Sequence, residues 1–212
     1  MDTPLTLPQQ QARVAEFRAR LGDSHPDTLA AILDLAEMMW ARGRLGEGRA
    51  LETEVVEARR KALGSEHPDT LKAIGKLATT IGAQGDLDEA RRLQESIVAL
   101  APHLWGENAR DTLRARNNLA GTLSTQGDLD GATTLLRNTI DALRAEFGEE
   151  DGDTLAAMAN LAAVLWQYGD HVEAYWLQYQ VVEIRRRMAG DDDPETRAAQ
   201  AVFDAMQRQD GL

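Results

Sequence analysis

The sequence contains no cysteine. Disulfides, thiolate metal sites and cysteine nucleophiles are therefore excluded. No run of 18 apolar residues occurs, so no transmembrane helix is expected. The opening stretch MDTPLTLPQQQ has neither a basic n-region nor an apolar h-region and does not read as a secretory signal. A cytoplasmic location is the expectation. Lysine is scarce: Lys61, Lys72 and Lys76 are the only three among 23 basic residues, and the arginine- and alanine-rich balance suggests a GC-rich genome. Acidic residues number 35, giving a net charge of −12. Such a chain does not attract phosphate backbones or anionic headgroups, so neither nucleic acid nor a membrane is an expected partner. Catalytic signatures are missing too. There is no G-x-S-x-G, no glycine-rich phosphate loop and no paired-carboxylate motif. An enzyme is not expected, and neither is a cofactor.

What the sequence has instead is a repeat. LGDSHPDT ends at Thr28, LGSEHPDT at Thr70, WGENARDT at Thr112, FGEEDGDT at Thr154 and AGDDDPET at Thr196. Each threonine follows the last by 42 residues, without an insertion or deletion. The 212 residues, 43% of them apolar and 27% charged, suit one globular domain spanning 1–212. Within it, four full repeats are expected at 27–68, 69–110, 111–152 and 153–194. An N-terminal capping helix is expected within 9–26 and a C-terminal one within 195–212.

Each repeat carries D-T-L and then L-A, as at Leu35-Ala36, Leu77-Ala78, Leu119-Ala120 and Leu161-Ala162. A glycine comes eight residues after each of these leucines: Gly43, Gly85, Gly127 and Gly169. A small residue stands five further on: Gly48, Ala90, Ala132 and Ala174. Apolar residues recur at helical spacing on both sides of the glycine, so each repeat reads as two helices, A and B. Helix A is expected at 27–42 and helix B at 45–62, with the same step thereafter. Aspartate in the first turn of helix A favours the helix dipole. Pro26 and Pro68 suit a helix start, and the glycine suits a left-handed residue at the helix end.

The L-A…G-D-L-x-E-A spacing resembles the tetratricopeptide repeat. The 42-residue length and the L-G-x-x-H-P-D-T junction resemble the kinesin light chain subclass, here of bacterial origin. The resemblance covers about residues 9–210. It implies an all-α, right-handed α-solenoid whose A helices line a concave groove. Gly48 departs from the usual alanine, and His171 from the usual apolar start of helix B.

With the leucine of L-A counted as position 7, positions 1, 4, 7, 8 and 11 form an apolar stripe. Positions 2, 5, 6, 9, 12 and 13 fall opposite and should face the groove. Those positions hold Trp40 in repeat 1, Lys72 and Lys76 in repeat 2, Arg114, Asn117 and Asn118 in repeat 3, and Asn160 and Trp166 in repeat 4. The middle of the groove is therefore basic and amide-rich on an acidic chain. Lysine and arginine meet carboxylates. Asparagine can bond both the N–H and the C=O of an extended backbone, and tryptophan offers stacking surface. The resemblance adds that Asn117, Asn118 and Asn160 match an L-N-N-L-A peptide-binding helix. The expected partner is an extended peptide, acidic or bearing a C-terminal carboxylate. An ordinary solvated face is the competing reading. Two other functions stand beside peptide binding: a self-associating scaffold, and an accessory or regulatory subunit of an enzyme or sensor system.

Smaller signals remain. Arg116 occupies position 4, where the other repeats have Ile32, Ile74 and Met158, so it needs an acidic partner or a route to solvent. Tyr175, Trp176 and Tyr179 cluster on helix B of repeat 4. They either pack on the C-terminal capping helix or form a protein interface, such as a homodimer contact. His25 and His67 recur at equivalent junctions and read as capping or packing. His103 and His171 have no ligand companions, so no metal site is expected.

Overall fold

The computed structural model describes residues 5–210; residues 1–4 of the N-terminal stretch and residues 211–212 of the expected C-terminal cap lie outside that range. The described residues form ten α-helices and no strand. They are α1 (Leu7–Leu21), α2 (Pro26–Trp40), α3 (Leu45–Leu63), α4 (Pro68–Ala83), α5 (Leu87–Trp105), α6 (Arg110–Thr125), α7 (Leu129–Phe147), α8 (Gly152–Tyr168), α9 (His171–Ala189) and α10 (Pro194–Asp210). Helices α2, α4, α6 and α8 are the four A helices, and α3, α5, α7 and α9 the four B helices. The N-terminal helix ends at Leu21, before the 26 expected for the cap.

The ends of each helix follow from local chemistry. After α2, the Gly43 N–H bonds the Trp40 carbonyl at 2.9 Å and the Arg44 N–H bonds the Met39 carbonyl at 3.0 Å. Gly43 has φ +72°, the left-handed geometry that closes a helix in this way. Gly85, Gly127 and Gly169 repeat the arrangement. The next residue then starts helix B. Asp86, Asp128 and Asp170 accept from the backbone N–H three residues on, at 3.0–3.2 Å. Repeat 1 has Arg44 there, and its α3 start has no side-chain cap. At the start of α2 and α4, His25 and His67 cap through Nδ1, accepting from Asp27 and Asp69 N–H at 3.2 Å. Asp151 does the same for α8, at 2.9 Å.

The chain separates into two compact units, residues 1–100 and 101–212. In the first, α1 packs on α2, α2 on α3 and α3 on α4. Its core is Leu29, Ile32, Leu35 and Met39 of α2, Val55 and Val56 of α3, and Leu71, Ile74, Leu77 and Ile81 of α4. In the second, α6, α7, α8, α9 and α10 pack in order. Its core includes Leu113, Leu136, Ile140, Leu143, Leu155, Met158, Leu161 and Phe203. Each fully buried aliphatic side chain contributes about 1.5–3 kcal/mol of transfer free energy, so the stripe of each A helix is what holds it to its neighbours. The stripe positions are buried in all four A helices, except Arg116. That guanidinium turns out to an ion pair with Glu107 while its side chain stays 18% exposed. The small position is buried in every repeat: Gly48, Ala90, Ala132 and Ala174. A Cβ on Gly48 would stand 3.3 Å from the Ala36 carbonyl oxygen, which shows how closely helices A and B approach.

Candidate functional site

The buried stripe leaves the opposite face of each A helix to solvent. In the first unit this face presents Trp40, 48% exposed, from α2, and Lys72 and Lys76 from α4. Lys76 forms an ion pair with Glu37 of α2. Glu37, Trp40, Glu52, Lys76, Thr79 and Thr80 line a pocket of about 190 Å³. Its floor is Glu52 of α3, which is 5% exposed and hydrogen-bonded by the Thr80 side chain. Burial pushes the Glu52 carboxyl above the usual carboxylate range, against the pull of Thr80 and Lys76; the Glu37 charge raises it further.

In the second unit the same face carries amides. Asn160 of α8 donates from Nδ2 to Oδ1 of Asn117 on α6, at 3.0 Å. Asn118 is exposed beside it. Arg114 donates from Nε to Oδ1 of Asp153 at 2.7 Å. Arg110 clasps Asp151 with two bonds of 2.9 and 3.0 Å, pairs with Asp153 as well, and lies 4.1 Å from the centre of the Phe147 ring. The Arg110 bonds hold Asp151 below the usual carboxylate range. Trp166 stacks on His171 at 4.3 Å and donates from Nε1 to Gln209 at 3.0 Å, so one of its faces and its indole N–H are engaged. A second pocket, about 490 Å³, is lined among others by Ala159, Asn160 and Ala163 of α8, Gln178 and Val181 of α9, and Val202 of α10.

The two pockets are register equivalents. Ala163, Gln178 and Val202 stand three repeat lengths after Glu37, Glu52 and Lys76. At these three positions the charged residues of the first pocket give way to alanine, glutamine and valine in the second, whose charged lining is instead the Arg185–Glu195 pair. Among the described residues, no group of three or more His, Asp or Glu side chains could hold a metal ion. No described helix is long and apolar enough to cross a membrane.

The Tetratricopeptide repeat profile matches residues 27–103 and 111–187. The chain belongs to the tetratricopeptide repeat family. A solved structure of a candidate kinesin light chain from Podosopora anserina, made of nearly identical TPR-like repeats, is 30% identical; the match covers 86% of each chain with a TM-score of 0.66. BtubC (BKLC) from P. vanneervenii is 19% identical, with 98% of this chain and 85% of that one covered and a TM-score of 0.75. Bacillus thuringiensis PlcR, solved with the peptide PapR7 and DNA, is 15% identical, with 98% and 74% covered and a TM-score of 0.67. These last two share the fold. No curated protein matches the sequence.

The last tetratricopeptide repeat meets its cap through aromatics. Tyr175 of α9 lies 4.5 Å from the Phe203 ring of α10 and accepts from Gln207 at 2.6 Å; Tyr179 lies 5.9 Å from the same ring. Trp176 points elsewhere and is 56% exposed, in helical register with Val172 and Tyr179.

One set of residues escapes a reading of apolar periodicity. Gln10, Glu52, Gln94 and Gln178 fall on the 42-residue step, interrupted by Leu136 in repeat 3, and all are buried. Gln10 donates from Nε2 to the Ala31 carbonyl, and Gln178 to the Ala199 carbonyl, each at 2.8 Å. In both cases the amide ties a helix to the next one, 21 residues on. The recurrence of an amide at a fixed step was the available signal.

Proposed function

We propose that the chain is a non-catalytic protein-interaction module that holds an extended peptide on the exposed faces of its A helices, with acidic side chains or a terminal carboxylate as the preferred ligand chemistry. The observation that carries this reading is the amide pair Asn117–Asn160 beside exposed Asn118, on neighbouring A helices, with Asn160 lining a pocket of mixed apolar and polar walls. Amides offer donors and acceptors to a peptide backbone, and the pocket accommodates a side chain. Membership of the tetratricopeptide repeat family supports an interaction role. The PlcR–PapR7 complex shows a related fold in the company of a peptide.

The cations are reachable. Lys76–Glu37 and Arg114–Asp153 are ion pairs whose cationic partners are 45% and 55% exposed. Lys76–Glu37 is exposed on both sides, and such pairs contribute little to stability, so a ligand carboxylate exchanges for Glu37 at small cost; Asp153 is half-buried but keeps Arg110 when Arg114 turns to a ligand. Selection from a randomised peptide library tests the reading. Wild type is compared with a Lys72→Gln/Lys76→Gln/Arg114→Gln variant shown by circular dichroism to be folded. Enrichment of acidic peptides by the wild type alone is expected; identical selections would refute the basic site.

A second reading, self-association, rests on the exposed Val172, Trp176 and Tyr179 face of α9. A concentration-independent monomer in sedimentation velocity would remove it.

A further inference from the structure

The buried amide register poses a chemical question at Glu52. At Gln10 and Gln178 the register residue acts as a donor. Gln178 makes this plain: its Nε2 bonds the Ala199 carbonyl while its Oε1 has no partner. A polar residue in this slot meets the backbone carbonyl 21 residues ahead, as at Gln10 and Gln178, whereas repeat 3 fills the slot with Leu136. For Glu52 that carbonyl belongs to Ala73 of α4, itself fully buried. An ionised carboxylate has no hydrogen to give. Glu52 nonetheless sits in the slot, 5% exposed, with Oε2 lacking any partner.

We infer that Glu52 is a carboxylic acid in the folded protein, its Oε2–H taking the place of the glutamine N–H and donating to the Ala73 carbonyl. The proton comes from solvent and stays with the folded state. Thr80 bonds the carboxyl, but Oε2 is left without a partner, and burying an ionised oxygen in that state costs more than burying a neutral acid whose O–H is hydrogen-bonded. The charged groups that face the carboxyl agree with this state. Glu37 of α2 opposes its ionisation and Lys76 of α4 favours it, but those two are paired with each other. On the α1 side, Arg18 is held by Glu54 at 2.5 Å and Asp23 at 3.5 Å. The first unit therefore carries a proton-binding element at the position that Gln178 fills in the second unit. This inference is independent of the peptide reading.

The sign of the pH effect follows. A carboxyl that binds its proton more tightly when folded makes folding less favourable as pH rises from the unfolded value, about 4.3 for glutamate, through the higher folded value. Glu52→Gln supplies the donor permanently and matches Gln10, Gln94 and Gln178 of the register, where repeat 3 has Leu136. The ratio of folding constants, variant over wild type, should therefore rise by up to tenfold per pH unit above about pH 4.3 and level off at the folded value. The direct test is spectroscopic and uses the intact chain. At pH 6, where exposed glutamates are ionised, the wild type should show the infrared C=O band and ¹³C shift of a protonated carboxyl, and Glu52→Gln should lack them. The introduced amide should also be protected from hydrogen exchange, as is expected of the hydrogen-bonded Gln10 and Gln178 amides. No protonated carboxyl at pH 6, or a stability ratio flat with pH, would overturn the inference.

Discussion

Phe203 is the anchor of the C-terminal cap, and its removal yields a quantitative expectation. The ring is 8% exposed, lies 4.5 Å from Tyr175 and 5.9 Å from Tyr179, and shares its helix face with buried Ala199 and Met206. An aromatic side chain buries roughly 200 Å², which at about 25 cal/mol/Å² corresponds to about 5 kcal/mol. Alanine keeps part of that area, and the site collapses partly, so Phe203→Ala should cost about 3–4 kcal/mol. The loss is local. In a repeat array each element is held only by its neighbours, and α10 packs on α9. Besides the small or flexible apolar contacts of Ala199 and Met206, what remains for α10 is the Gln178–Ala199, Gln207–Tyr175, Trp166–Gln209 and Arg186–Gln200 bonds and the pair Arg185–Glu195. Each such hydrogen bond contributes on the order of 1 kcal/mol net. Detachment of α10 should thus precede unfolding of the rest. Hydrogen exchange read by mass spectrometry, with and without urea, is the assay. Peptides from 194–210 should lose protection while those from α6 and α7 keep theirs. Val202→Ala, 46% exposed, is the control and should change little. A cost below about 1 kcal/mol, or loss of protection spread evenly over residues 101–210, would refute the reasoning.

Further expectations concern helix packing and caps. Gly48→Ala should stabilise the first unit by up to about 1 kcal/mol through helix propensity, because the equivalent Ala90, Ala132 and Ala174 are all accommodated and the Ala36 carbonyl oxygen, 3.3 Å from the new Cβ, needs to yield only slightly; a lower urea midpoint would show that it does not. Asp151→Ala should cost about 1 kcal/mol as a lost helix cap, while Asp151→Asn keeps the cap and loses the Arg110 charge pairing. The depressed Asp151 carboxyl contributes stability above its unfolded value, about 3.9, and loses it as pH falls through the lower folded value. The gap between wild type and Asp151→Asn should therefore close below about pH 4. A gap that is constant from pH 7 to pH 2 would contradict the pairing.

The fold was legible because its determinants are local and repeated. Leu35-Ala36 and its three echoes mark the buried stripe, and Gly43 and its echoes mark the turn. Both depend on 3.6-residue periodicity and backbone geometry that one sequence displays openly. Arg116 showed as an exception for the same reason, though not its partner Glu107. The electrostatics of the A-helix faces were less legible. Lys76 and Glu37 are 39 residues apart, as are Arg114 and Asp153. Each pairing needs two successive A helices side by side, with long side chains reaching across. Counting lysines on a face gave its composition but not its internal neutralisation. Trp166 was likewise legible as a position, while its engagement with His171 and Gln209 depends on where α9 and α10 run. The buried amides were hidden in plain sight. A glutamine in a helix suggests surface, and only its return at 10, 94 and 178, with glutamate at 52, marks it as interior.

The central claim is that the exposed A-helix faces hold the partner. Chemical-shift mapping with the peptide most enriched from the library tests it most directly. Shifts are expected at the side-chain amides of Asn117, Asn118 and Asn160, weakened by added salt. Shifts confined to Trp176, Tyr179 and the loops between helices would contradict it.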